Sequence, residues 1–196
     1  KAYETAHGMA KNAKTLIKLH TAYVSAGKLE EGDARMAQWL KESPDDAAVR
    51  LYMAQFALDR GRGKEAIAHY ERLQQKQPDN VLVLNNLALA YFQAKDARAL
   101  EFAERAYKLA PESPSVTDTL GWLLVEQGNV VRGIELLEKS AKAAPNNPET
   151  RYHLAQGWAR AGDKSKARKE LERLLATDVK FSQRAEAQKL LKELSK

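Results

Sequence analysis

Apolar residues recur along this chain at the three-to-four-residue spacing of one helix face, as in Leu120, Leu123 and Leu124, then Ile134, Leu137 and Ala141. Between those two runs lies "EQGN", and the same break returns as "SAGK", "DRGR" and "RAGD". Each is a glycine followed by a polar residue, the punctuation of a helix that ends in a tight turn. Only "QAKD" departs, with Lys95 in the place of the glycine. After each second apolar run comes a proline, at 44, 78, 111 and 145, so the intervals are 34, 33 and 34 residues. The phrases that contain them, "WLKESPDD", "LQQKQPDN", "YKLAPESP" and "SAKAAPNN", are alike.

A fixed interval of this kind marks a repeat architecture, in which each unit is a helix, a short turn and an antiparallel second helix stopped by proline. The pattern predicts an all-α chain with full units at 13–46, 47–80, 81–113, 114–147 and 148–181. The missing residue falls in the turn of the third unit, which predicts a tighter corner there. A last helix, "SQRAEAQKLLKELS" over 182–195, is predicted to start at Ser182 as N-cap and to put Leu190, Leu191 and Leu194 on one face, closing the C-terminal end. Residues 1–12 read as the second helix of a partial repeat, with no corresponding cap.

The units resemble the tetratricopeptide repeat (TPR) along essentially the whole chain. The family's positions are met in the third unit by Leu84, Leu87, Ala88, Tyr91, Ala99, Ala106 and Pro111, with Ala103 as a departure. In the fourth they are met by Leu120, Gly121, Leu124, Gly133, Leu137, Ser140 and Pro145, with Thr117 departing. The resemblance implies a single right-handed superhelical solenoid of antiparallel helix pairs over 1–196. It also implies that two small positions per unit face each other where the paired helices come closest. Here those pairs are His20 with Gly32, Ala54 with Ala66, Ala88 with Ala99, Gly121 with Gly133, and Ala155 with Ala167. The bulky His20 is matched by glycine, as volume compensation in a close-packed interior requires. Gly121 is accordingly a packing residue, although a glycine inside a helix costs about 0.8–1.0 kcal/mol relative to alanine.

Composition changes this picture little. The 196 residues carry 32 Lys and Arg against 26 Asp and Glu, a formal charge of +6, but the two signs are interspersed. No basic stripe studded with aromatics is present, so nucleic acid is not an expected partner. There is no cysteine, which excludes disulfides and thiolate metal sites. No run is long and apolar enough for direct membrane insertion, and a start at Lys1 reads as a piece of something longer.

Nothing in the chain forms a catalytic, cofactor or metal motif. His7, His20, His69 and His153 fall in four different units without metal-ligand spacing, and "GRGK" lacks the spacing of a phosphate loop. The chain therefore reads as a non-enzyme. What the resemblance implies instead is a concave groove lined by the first helix of each unit. The inward positions are Leu51, Gln55, Leu58 and Asp59; Leu82, Asn85, Leu89, Phe92 and Gln93; Asp118, Trp122, Val125 and Glu126; and Tyr152, Gln156 and Arg160. A strip of Leu89, Phe92, Trp122 and Tyr152 flanked by amides suits an extended peptide or an inserted helix of a protein partner. A clamp for chaperone C-termini is disfavoured. Asn86 holds one of its positions, but Ser115 and Thr119 stand where its Lys and Arg belong.

From Ala47 onward, phrases such as "LNNLALAYFQAKDARALEFAERAYKLAPESPSVTDTLGWLLVEQGN" resemble the C-terminal repeats of bacterial TPR lipoproteins of exosortase (PEP-CTERM) and exopolysaccharide export systems. That resemblance implies a periplasmic scaffold in assembly or export. The competing expectation is a structural spacer of a longer solenoid that self-associates through its uncapped N-terminal end.

Overall fold

The computed structural model describes residues 12–195, and all regular structure among them is helical. The partial helix expected over residues 1–12 lies outside the described residues, apart from Asn12. The chain divides into two compact units, one ending at Ala94 and one beginning at Lys95. The first holds α1 (Ala13–Ser25), α2 (Leu29–Glu42), α3 (Ala47–Asp59), α4 (Gly63–Lys76) and α5 (Val81–Gln93). The second holds α6 (Ala99–Leu109), α7 (Pro114–Glu126), α8 (Val130–Ala143), α9 (Pro148–Arg160), α10 (Lys164–Leu175) and α11 (Arg184–Leu194). In the first unit α1 packs on α2 and α3, and α4 packs on α3 and α5; in the second α7 packs on α8 and α9, and α10 packs on α9 and α11.

The prolines set the helix ends through their predecessors. Ser43, Gln77, Ala110 and Ala144 each cap a helix with ψ between 66 and 73°, out of the helical region, because the proline ring crowds the residue before it. Two residues beyond Pro44, Pro78 and Pro145, the side chains of Asp46, Asn80 and Asn147 accept hydrogen bonds from the first-turn amides of α3, α5 and α9. Each such cap is worth about 1 kcal/mol. One short phrase thus stops one helix and starts the next.

Gly121 and Gly133 meet as expected. A Cβ on Gly133 would lie 2.6 Å from Val125 Cγ2 and 2.8 Å from the Gly121 carbonyl oxygen, and one on Gly121 would lie 3.0 Å from the Gly133 oxygen. Backbone touches backbone, so no side chain fits. In the first unit a Cβ on Gly32 would lie 3.1 Å from His20 Cδ2, which is the volume compensation read from the sequence. Ala54, Ala66, Ala155 and Ala167 are fully buried in their hairpins.

Two expectations are corrected. The short third turn is not a tighter one. Lys95 takes the left-handed conformation (φ 56°) that Gly128 takes at 89°. With one residue fewer between that point and Ala99, the start of the second helix unwinds, leaving 94–98 non-helical against 127–129 in the next repeat. Asp96 stabilises the unwound turn by accepting from the Arg98 amide at 2.9 Å. Ser182 is likewise not the cap of the last helix. That helix begins at Arg184 after Gln183, and Ser182 donates to the Gln183 side chain at 2.7 Å. Arg184 is held instead by the open end of α10, donating to the carbonyls of Leu175, Thr177 and Val179. Beyond it Ala187 is buried, and Leu190, Leu191 and Leu194 pack on Leu171 and Leu174.

Equivalent arginines in two repeats show how one neighbour changes a buried charge. Arg151 donates to the Pro145 carbonyl at 2.7 Å and to Glu170 at 2.9 Å. Arg50 likewise donates to the Pro44 carbonyl, but where Glu170 would stand it meets His69 Nδ1 at 3.5 Å. Burial, then the Arg50 charge, holds the His69 pKa below its ordinary value. The unfolded chain therefore binds this proton more readily than the folded one, so stability falls as pH drops through the ordinary histidine range near about 6.5.

Two outcomes are expected. In denaturant unfolding, Gly133→Ala should cost about 1–3 kcal/mol, whereas Lys95→Gly should stabilise by up to about 1 kcal/mol through relief of the left-handed backbone. Thermal melts between pH 7 and pH 5 should show an acid-side loss of stability that His69→Glu, by restoring the arginine–carboxylate pair, reduces.

Candidate functional site

Asp118, Trp122 and Glu126 follow one another at four-residue steps on α7, which places them on one helix face. On α9 the facing residues are His153, Gln156 and Arg160. Asp118 Oδ2 lies 3.0 Å from His153 Nδ1. The His153 ring stacks on the Trp122 indole, with centroids 4.7 Å apart and planes within 9°. Arg160 lies 5.7 Å from the indole centroid, donates to the Val125 carbonyl at 3.2 Å and pairs with Glu126. Three rungs, a carboxylate–imidazole pair, a ring stack and a carboxylate–guanidinium pair, tie the two first helices together.

The surface they form is polar, half-buried and incompletely satisfied. Asp118 Oδ1 and Gln156 Oε1 are both buried without a hydrogen-bond partner. Such an acceptor costs about 1–3 kcal/mol when left unpaired, and both oxygens lie beneath the surface, leaving the Trp122 and His153 rings and the charged pairs to form it. Four predicted residues, Asp118, Trp122, Glu126 and Gln156, come together here. His153 was not among them, although it contributes to two of the three rungs. Its one sequence signal is an opposite chemistry one repeat on: it lies 35 residues after Asp118.

Tyr152 does not belong to this surface. It is 6% exposed, and it packs with Leu171, Leu174 and Ala187 and against the Phe181 ring, because the chain after α10 returns over it. The expected apolar strip therefore loses Tyr152 to the core, and Leu58 and Val125, also expected to face inward, are buried, Val125 among Ile134, Leu137 and Leu154.

In the first unit Leu51, Leu89 and Phe92 are half-buried, and Gln55 is exposed. The amides there serve the interior. Asn86 Nδ2 donates to Gln55 Oε1 at 3.3 Å and to Tyr70 OH at 3.2 Å, and Gln55 Nε2 donates to Asp59 at 2.6 Å. Asn85, expected on the groove, is 7% exposed and donates to Asn86. Burial pushes the Tyr70 hydroxyl up to about 12, so it stays a neutral hydrogen-bonding member of the network. His20 is equally internal: 1% exposed, it spans Tyr52 OH at 2.7 Å and Asp33 at 2.8 Å, with Phe56 edge-on at 4.8 Å. Among the described residues no three His, Asp or Glu side chains gather to hold a metal ion.

The tetratricopeptide repeat family matches residues 23–80 and 124–194, and a second form of the same repeat matches 57–114. The chain belongs to the tetratricopeptide repeat family. It is 26% identical over 141 residues to the TPR repeat-containing protein PA4667 of Pseudomonas aeruginosa, covering 68% of this chain and 24% of that protein. It is 31% identical over 161 residues to the human Protein O-mannosyl-transferase TMTC1, covering 82% of this chain and 18% of that protein. The chain thus spans a quarter or less of either relative. Among solved structures, TTC0263, a thermophilic TPR protein of Thermus thermophilus, matches with TM-score 0.73 at 18% identity over 92% of this chain and 99% of that one. PilW, a type IV pilus biogenesis factor, matches with TM-score 0.72 at 16% identity over 93% and 90%. YrrB, a TPR protein with an unusual peptide-binding site, matches with TM-score 0.62 at 17% identity over 90% and 92%. These structures share the TPR fold with the chain.

Internal and surface histidine or arginine contacts should separate in unfolding experiments. His20→Ala, which leaves a cavity and strands Asp33 and Tyr52, should cost about 2–4 kcal/mol, whereas Arg160→Ala on the candidate surface should cost about 1 kcal/mol or less.

Proposed function

We propose that this chain is a non-catalytic interaction scaffold that holds a peptide or partner protein against the inward side of its first helices, with the α7–α9 surface as the principal contact. The observation that carries this reading is the half-buried Trp122–His153 ring stack, set between the Asp118–His153 and Glu126–Arg160 pairs on one face of the first helices. Donor groups of a polypeptide complement the partly exposed Glu126 carboxylate, and an indole supplies contact area at little entropic cost. Membership of the tetratricopeptide repeat family supports the same reading, and YrrB provides a fold relative described as peptide-binding. For the setting we propose bacterial assembly or export linked to exopolysaccharide and exosortase systems in the periplasm. That proposal rests on the phrases from Ala47 onward that resemble lipoproteins of those systems.

Selection of a random peptide library displayed on phage against the immobilised chain tests the scaffold. Selected peptides should move the Trp122 indole N–H resonance and bind about tenfold or more weakly to Gln156→Lys and Glu126→Gln chains, a loss of one charge-sensitive contact, with stability lowered by about 1 kcal/mol or less. Peptides that leave Trp122 unmoved and bind both variants equally would overturn the proposal. Variants that lose stability and no ligand would favour the spacer.

A further inference from the structure

After two of the four boundary prolines, Pro44 and Pro111, the next residue is an acid that pairs with a base on the second helix of the following repeat, whereas Asp79 after Pro78 has Ala106 at that spacing. In the first unit Asp45 follows Pro44, and its carboxylate takes Arg72 at 2.7 Å and Lys76 at 2.9 Å. In the second unit Glu112 follows Pro111 and takes Lys139 at 2.8 Å, while Lys139 also donates to the Pro111 carbonyl at 2.9 Å. The spacing is the same in both cases, 27 residues from acid to base. The next repeat keeps the base and loses the acid. Asn146 follows Pro145, and Arg173 stands 27 residues on. Among the described residues Arg173 holds no carboxylate and makes no hydrogen bond. Glu170, one turn before it, is engaged by Arg151 at 2.9 Å.

Where the acid is missing the surface is concave. Pro145, Pro148, Leu174 and Val179 wall a cleft of about 310 Å³ with Arg151 and Arg173 at its polar side. Arg151 is nine-tenths buried and fixed by its bonds to the Pro145 carbonyl and Glu170, so that side of the cleft is rigid. Val179 is 45% exposed, a large apolar side chain left open to solvent beside a guanidinium without a partner. The equivalent cleft one repeat earlier, of about 330 Å³, is lined by Pro114, Thr117 and Lys139 together with its own Glu112. The earlier cleft carries its own carboxylate, Glu112, at an exposed edge, and the later one has Arg173 where Lys139 stands and no carboxylate among its lining residues.

We infer that the Pro145–Val179 cleft is a second binding site, which receives a glutamate side chain of a partner polypeptide. The glutamate carboxylate takes the place that Glu112 fills in the preceding repeat and pairs with Arg173, and an apolar residue beside it packs on Pro148, Leu174 and Val179. Arginine suits this role because its planar fork binds a carboxylate through two donors. Pro148, Leu174 and Val179 give the cleft an apolar wall, which suits aliphatic carbon beside the carboxylate. This site is formed by the proline loop, the first turn of α9, α10 and the segment after it, and it uses none of the residues of the Trp122–His153 surface.

Titration of the ¹⁵N-labelled chain with three blocked tripeptides tests the inference. N-acetyl-Ile-Glu-Ile-amide should give saturable shifts at Asn146, Val179 and the Arg173 Nε–H. N-acetyl-Ile-Gln-Ile-amide should bind about tenfold or more weakly, as loss of a charge-assisted contact requires. N-acetyl-Ile-Gln-Ile with a free C-terminal carboxylate should resemble the amide. Asn146→Asp, which supplies the missing acid from within, should abolish binding without lowering the melting temperature, and Arg173→Gln should abolish it by removing the base. Equal shifts with the glutamine peptide, binding only to the free C-terminus, or retained binding by the folded Asn146→Asp chain would each overturn the inference. Binding lost here while library peptides still bind near Trp122, or the converse, separates this site from the scaffold surface.

Discussion

Close approach of two helix backbones is the constraint on which the rest depends. At Gly121 and Gly133 the carbonyl of each helix occupies the space that a side chain on the other would need. Only hydrogen fits, so the helical penalty of glycine is outweighed by the packing it permits. Alanines serve the same purpose in neighbouring repeats, where the interior has closed around Ala54 and Ala66, or Ala155 and Ala167. With the hairpin pinned this tightly, its first helix presents a defined face to the next repeat. The Asp118–His153 and Trp122–His153 contacts between α7 and α9 can then form as ordered rungs.

Much of the fold was legible because the features that specify it are local. The left-handed turn, the non-helical residue before proline and the N-cap two residues later are each set by residues within a few positions. The failures came where distant chain decides. Tyr152 has the position of a groove residue, but a segment some thirty residues later covers it. Ser182 has the chemistry of an N-cap, yet Arg184 reaches back to three free carbonyls of the preceding stretch, and the helix starts around that anchor. The third turn lost a residue, and the chain absorbed the deficit by unwinding a helix start, because the left-handed turn residue and buried Ala99 are both kept.

The candidate site was half legible for a related reason. Position within the repeat identified Asp118, Trp122, Glu126 and Gln156, since a periodic architecture assigns faces by counting. It did not identify His153, whose role comes from its pairing across repeats with Asp118 and Trp122. Nor did it distinguish Asn85 and Asn86, spent on an internal network, from amides free to read a ligand. The clearest functional signal came from comparing equivalent positions once the pairs were visible. Asn146 stands out only because Asp45 and Glu112 show what its place ordinarily holds.

A double-mutant cycle across the crossing tests the central claim most directly. If the two backbones meet, Gly121→Ala and Gly133→Ala each force the same helices apart, and the double variant should cost less than the sum of the two by about 1 kcal/mol or more in denaturant unfolding. Strict additivity within about 0.3–0.5 kcal/mol, the behaviour of separate sites, would contradict it.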